Sequence, residues 1–326
     1  MLTPRENFME VMTGGKPDRF VNQFEFFQMA PGPGMFGPMP ERGGKSKDAW
    51  GVTTVWPEGV ITPYPIHDAE HTVVKDIHHW QDYFIYPKIN DNDEDWAEPE
   101  RIAREIDRNE KFVSTMVFPG FFEMMHYMLG MQEALANYAL EPELMHQMID
   151  HYLKYLLMNA EVIAKHVHPD MFGLSDDLGT AVNSFISPAM FKEFFLKPYQ
   201  TLFGTWRELG VELIYMHNDS YSANLVPLLI ESGIQVWQGC VTRCDVPSLV
   251  KEFGPQMTFM GDIDSGVVDS PYWTPEIIER EVRRACTTNG KLYFIPCMTM
   301  AGPPTLYDGV LECLTENIDK MSKEMF

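Results

Sequence analysis

The hydrophobic and polar positions of the chain change character near residue 110. Before that point one helix is clearly signalled: Thr3-Pro4-Arg5-Glu6 offers an N-cap threonine, a proline at the first helical position and a capping-box glutamate, and Gly14-Gly15 ends the run. The apolar stretch 20–26 reads as a buried strand. It runs into residues 31–40, where alternating Pro and Gly forbid both helix and ladder and predict a long loop. Residues 50–90 read as short strands and turns, a lid-like insertion.

From 112 onward the pattern is regular. Apolar runs predict strands over 112–118, 171–174, 211–216, 234–239, 257–261 and 291–296. Between them fall helices over 120–166, from Ser187-Pro188 onward, over 221–232, 246–253 and 275–289, and last over 304–324. Strands alternating with helices at this spacing make βα units and a parallel sheet. Seven strands are legible, and one more hidden in the irregular region would complete an eight-stranded (β/α)8 TIM barrel of the α/β class. An open doubly wound sheet fits less well, because no Gly-rich phosphate loop follows any strand. The expectation is a single barrel domain over 1–326. Residues 1–110 would carry the N-terminal helical and loop extension, the first strand and the lid-like insertion, and 111–326 the regular repeats.

Charge and composition narrow the partners. Of 326 residues, Lys and Arg total 25 against 47 Asp and Glu, a net charge of −22 that repels nucleic-acid phosphates and anionic lipid. No run of 18 apolar residues occurs and the first residues lack the pattern of a signal peptide, so the expectation is a cytoplasmic protein with neither nucleic-acid nor membrane partners. Five cysteines, all in the last third, do not suggest a disulfide framework. The 23 Met and the 13% aromatic content are first of all core packing, with a large apolar cavity as the alternative.

In a βα barrel the chemistry sits just after the strands. The polar residues at those places are Glu25, Asp176 and Asp177, then His217, Asn218 and Asp219, then Gln238 and Cys240, Asp262 and Asp264, and Cys297. Acidic groups with one histidine and one cysteine at a single mouth suit a divalent metal, and the His and Cys pair selects zinc over magnesium or calcium. Each has a plainer reading: His217 as a hydrogen-bonded histidine of the second layer, Cys297 as an inert buried thiol, one of Asp176 and Asp177 as a helix cap. No HExxH, Cys2His2 or GxSxG spacing is present.

Larger segments then resemble a known family. Leu2-Thr3-Pro4-Arg5-Glu6-Asn7-Phe8 with Gly15-Lys16-Pro17-Asp18-Arg19 resembles the N-terminal signature of the uroporphyrinogen decarboxylase-like superfamily. So do Asp176-Asp177-Leu178-Gly179 leading to Ser187-Pro188-Ala189-Met190-Phe191, and the stretch from Ile214-Tyr215-Met216-His217 through Gly261-Asp262-Ile263-Asp264 to Cys297. The resemblance implies a (β/α)8 barrel. The decarboxylases of that superfamily carry arginine after the first strand to grip a polycarboxylate, whereas here no Arg or Lys lies between Arg19 and Arg42.

The other branch comprises zinc-dependent methyltransferases that act with corrinoid proteins, patterned on His-x-Cys and a later Cys. This chain keeps His217 and Cys297 but has Asp219 in place of the first cysteine. A carboxylate there makes a harder site and a stronger Lewis acid toward oxygen. The resemblance therefore implies zinc on His217, Cys297 and either Asp219 or Glu25, transferring a methyl group from a small O-methyl donor, a methoxylated aromatic, to the cob(I)alamin of a corrinoid protein. Asp176, Asp177 and Glu25 are the expected catalytic carboxylates, and Phe26, Met29, Phe36 and Trp56 the expected substrate wall, with Trp50 and Tyr64 adding to it. A homodimer fits the superfamily. The alternatives are a metal-free decarboxylase-like lyase and a non-catalytic barrel that binds a corrinoid or a partner protein.

Overall fold

Thr3 starts the first helix, α1 (Pro4–Thr13), as a capping box: its hydroxyl accepts from the Glu6 N–H and its own N–H donates to Glu6 Oε2. Gly14, at φ 72°, ends it in the left-handed region. The computed structural model describes residues 1–33, 37–299 and 305–326. After α1 come strand β1 (Phe27–Met29) and a three-stranded antiparallel sheet of β2 (Lys45–Lys47), β3 (Thr53–Val55) and β4 (Tyr64–Pro65). This small sheet falls where the sequence predicts a lid-like insertion. Helix α2 (Asp93–Glu105) follows it, three acidic residues in its first turn matching the positive end of the helix dipole. The apolar pattern does not announce this helix.

The regular part holds strands β5 (Phe112–Val117), β6 (Met171–Ser175), β7 (Leu213–His217), β8 (Val236–Cys240), β9 (Thr258–Ile263) and β10 (Phe294–Met298). All pair in parallel, in the order β1-β5-β6-β7-β8-β9-β10. Between β5 and β6 lie α3 (Phe121–Leu129), α4 (Met131–Leu140) and α5 (Pro142–Val167). The short α6 (Pro188–Met190), a π-helical turn (Phe191–Phe195) and α7 (Leu196–Glu208) lead to β7. Later crossovers use α8 (Val226–Ser232), α9 (Val246–Phe253), and α10 (Ser265–Val268) with α11 (Pro275–Asn289), and α12 (Val310–Met325) follows β10.

The sheet curls into a barrel. Phe112, Met171, Leu213, Val236, Met260 and Ile295, one from each of six strands, are buried in one interior cluster. Phe27 of β1 meets Tyr215 of β7 at a ring separation of 5.8 Å although two strands separate them in the sheet, a contact that only a closed interior allows. Among the described residues this sheet has seven strands. The eighth that the sequence anticipates is not among them, and α1 bridges the seam between β10 and β1. The Tyr293 N–H donates to Val11 O and the Arg5 N–H to Glu110 O, while Phe8 stacks on Phe26 at 4.1 Å.

The strand expected over 20–26 is displaced. Residues 20–26 are turn and irregular backbone laid against α12, with the Phe20 N–H donating to Ser322 Oγ and Asn22 Nδ2 to Thr315 O, and the strand begins only at Phe27. Among the described residues no helix is long and apolar enough to cross a membrane.

Candidate metal centre

The carboxyl-terminal ends of β6, β7 and β8 carry the polar groups. Ser175, His217 and Gln238 stand in register across these three strands, so the residues that follow β6 and β7 emerge side by side at the barrel mouth. The loop after β7 is pinned by its own hydrogen bonds: Asn218 Oδ1 accepts from the Ser220 N–H, and Trp237 Nε1 donates to Asn218 O. Gly239, at φ 98°, lets that backbone approach, since a Cβ there would meet Asn218 O at 2.8 Å.

One ligating atom each of Asp177, His217 and Asp219 lies within 4.8 Å of the other two. The Asp219 N–H donates to Asp177 Oδ1 at 2.9 Å, locking the two loops together. His217 Nδ1 is hydrogen-bonded to Gln238 Oε1. The amide oxygen can only accept, so Nδ1 carries the proton and Nε2 keeps its lone pair for a cation.

The two neighbouring aspartates divide their work. Asp176 is fully buried and accepts from the N–H groups of Phe122 (3.0 Å) and Glu123 (2.8 Å) at the start of α3, and from the Tyr199 hydroxyl. It is a capping and bracing group, placed against Gly120, where a Cβ would come within 2.3 Å of its own Cβ. Burial raises its carboxyl to about 6 against the pull of those donors. Asp177 faces the cluster, and burial followed by the charge of Asp219 pushes its carboxyl well above the ordinary range.

Glu123 of α3 belongs to the same neighbourhood. Its carboxyl is raised by burial and then by Asp177 and Asp176; Tyr127 donates to Oε1 at 3.3 Å, and Oε2 is buried without a partner. Among the described residues no Lys or Arg forms an ion pair with Asp177, Asp219 or Glu123. Two carboxylates and an oriented imidazole beside a further buried carboxyl fit a divalent cation.

The remaining predicted site residues fall elsewhere. Cys297 is not brought into this group: it is fully buried in the barrel interior, its thiol beside Gln238 and pushed strongly upward by burial. Glu25 lies at the opposite end of the barrel. The strand starts two residues after it, so its carboxylate faces Arg19 at 3.7 Å instead of the mouth. Asp262 is tied to Arg284 and Asn289, and Asp264 caps α10.

A cavity of about 410 Å³ opens beside the end of β5, walled by Trp50, Trp96, Tyr127, Tyr152 and Tyr155, with Lys88 the one basic residue among its described lining. Of the aromatic wall expected from sequence, Phe26 is instead packed beneath the barrel on Phe8, and Met29 at the end of β1 does not line the cavity. Trp56 follows β3 of the small antiparallel sheet, its Nε1 donating to Val60 O and its ring under Arg42. Tyr64 lies in the same small sheet and is exposed. Phe36 lies outside the described residues. Sequence reasoning missed Glu123 and Tyr127; the one usable signal is an acidic residue inside the otherwise apolar run Phe121-Phe122-Glu123-Met124-Met125.

The family model for uroporphyrinogen decarboxylase (URO-D) matches residues 100–296, more than half of the chain. The chain belongs to the URO-D family. Among solved structures, this URO-D protein is similar to a methyltransferase from Methanosarcina mazei, with a TM-score of 0.65 over 98% of this chain and 99% of that one, at 13% identity. At that identity the likeness establishes the shared fold, in agreement with the curled parallel sheet. No protein of curated function matches the chain.

Proposed function

We propose that this URO-D protein is a metal-dependent methyltransferase that moves a methyl group from a small O-methyl donor, a methoxylated aromatic, to the cob(I)alamin of a separate corrinoid protein. The observation that carries the reading is the convergence of Asp177, His217 and Asp219 at the barrel mouth. These three residues would hold the cation, zinc by the family resemblance, and leave a coordination position open. When bound, that ion supplies Lewis-acid polarisation of the ether oxygen. The similar fold of a methyltransferase over nearly its whole length supports the same direction.

The chain's own contributions follow from the geometry. Gln238 fixes the His217 tautomer, and the Asp219 N–H fixes Asp177, so the donor atoms are set before any ligand arrives. The aromatic cavity would take a flat, largely apolar donor against Trp50, Trp96, Tyr152 and Tyr155. With Lys88 as the one basic residue among its described lining, it offers poor compensation for a polycarboxylate tetrapyrrole, which disfavours decarboxylation of that substrate class.

The test is a screen of methyl donors against reduced cobalamin, read by the change in corrinoid absorbance, on protein of measured metal content. Transfer from a methoxylated aromatic by the unaltered protein, with loss of bound metal and of transfer in Asp177→Asn and His217→Ala, is the expected result. Full metal retention in both variants, or transfer from no donor, overturns the proposal.

A further inference from the structure

Breaking a methyl ether leaves the oxygen with an extra electron pair, and a proton must reach it. Tyr127 is the point at which the cavity and the carboxylate cluster meet. It lines the cavity, and its hydroxyl bonds Glu123 Oε1 at 3.3 Å. Behind it Glu123 is 5% exposed, with Oε2 buried and unpartnered and no ion-pairing Lys or Arg among the described residues. Oε1 is taken by the Tyr127 O–H, and Oε2, buried and without a partner, is the oxygen placed to carry a proton, since a bare buried carboxylate oxygen is costly. A neutral acid can give a proton to the phenolic oxygen when the Tyr127 O–H turns toward a ligand.

We propose that Tyr127 is the proton donor to the leaving oxygen, resupplied by Glu123 behind it. The inference rests on the methyl-ether reading above. In the balanced step the methyl carbon's bond to oxygen breaks with both electrons remaining on oxygen, and the reduced cobalt of the corrinoid protein supplies the pair for the new cobalt–carbon bond. The oxygen takes the Tyr127 proton, Tyr127 takes the Glu123 proton, and Glu123 ends as a carboxylate that recovers a proton from solvent. Tyr127 touches substrate and is the catalytic residue; Glu123 acts through it. The Tyr127 phenol is itself pushed well upward by burial and by Glu123, which keeps it protonated between turnovers.

The deciding experiment compares unaltered protein, Tyr127→Phe and Glu123→Gln in single-turnover methyl transfer to reduced cobalamin. The donors are methoxybenzenes whose ring substituents make the departing phenol progressively more acidic. Poor leaving groups need the proton most, so Tyr127→Phe should lose about 100-fold or more on unsubstituted methoxybenzene and less than about 10-fold on the nitro-substituted donor. Glu123→Gln should show the same steepening at smaller amplitude. Donor affinity and metal content, measured separately, should stay within about threefold in both variants.

A loss equal across the donor series, or no loss, overturns the relay while leaving the methyltransferase reading intact. Absence of transfer from every donor by the unaltered protein overturns both.

Discussion

His217 Nδ1 is hydrogen-bonded to Gln238 Oε1, a contact between adjacent strands that leaves Nε2 as the only ring nitrogen with a free lone pair. If this bond sets the tautomer, Gln238→Ala should weaken divalent-metal affinity about 10- to 100-fold with little change in folding. Titration calorimetry of the variant with zinc checks it, and unchanged affinity would remove Gln238 from the site.

Cys297 separates the structural from the inferred ligand set. Its thiol is packed in the barrel interior and lies outside the Asp177, His217 and Asp219 group. Cys297→Ser should therefore hold metal within about threefold of the unaltered protein. It should lose about 1–2 kcal/mol of stability from a newly buried hydroxyl. Metal analysis together with urea unfolding reads both numbers, and stoichiometric loss of metal would restore the thiolate to the site.

Asp176 and Glu25 make opposite predictions from similar chemistry. Removing Asp176 strands two backbone donors at the start of α3 and the Tyr199 hydroxyl, so Asp176→Ala should cost about 4 kcal/mol, measured by denaturant unfolding. Gly120→Ala should destabilise by a similar route, since the added methyl overlaps Asp176. Glu25→Gln, at the far end of the barrel, should leave metal binding and methyl transfer within about twofold.

The raised carboxyls give the metal-free protein a distinctive pH dependence. Asp176 titrates near 6 when folded and near its ordinary value when unfolded, so the folded state binds the extra proton between them. Its contribution is complete below about pH 4 and is lost as pH rises through about 6, an effect of roughly 3 kcal/mol. In Asp176→Asn the fall in stability over that window should shrink, as seen in unfolding curves collected in the presence of chelator. A slope identical to that of the unaltered protein would show that Asp176 does not titrate there.

The regular half of the barrel was legible because each strand there is a short apolar run closed by polar residues; the helix predicted over 275–289 is α11. The first strand was misplaced because residues 20–26 are apolar for another reason: they pack on α12 and beneath the barrel, a contact made across nearly the whole chain that local pattern does not encode. That shift of a few residues carried Glu25 to the wrong end. His217, Asp177 and Asp219 could be collected as strand-end residues, but which of Asp176 and Asp177 faces the mouth depends on donors from α3, and Glu123 enters only through the approach of that helix.

Helix α1 precedes one of its partners by most of the described chain. Its backbone contact with the approach to β10 joins Val11 to Tyr293, a residue synthesised roughly 280 positions later. At about 5–20 residues per second, the nascent chain carries that helix without its final partner for some tens of seconds. The seam between β10 and β1 therefore closes only after residue 293 has been made, and until then α1 is held by its earlier partners alone, Glu110 and Phe26.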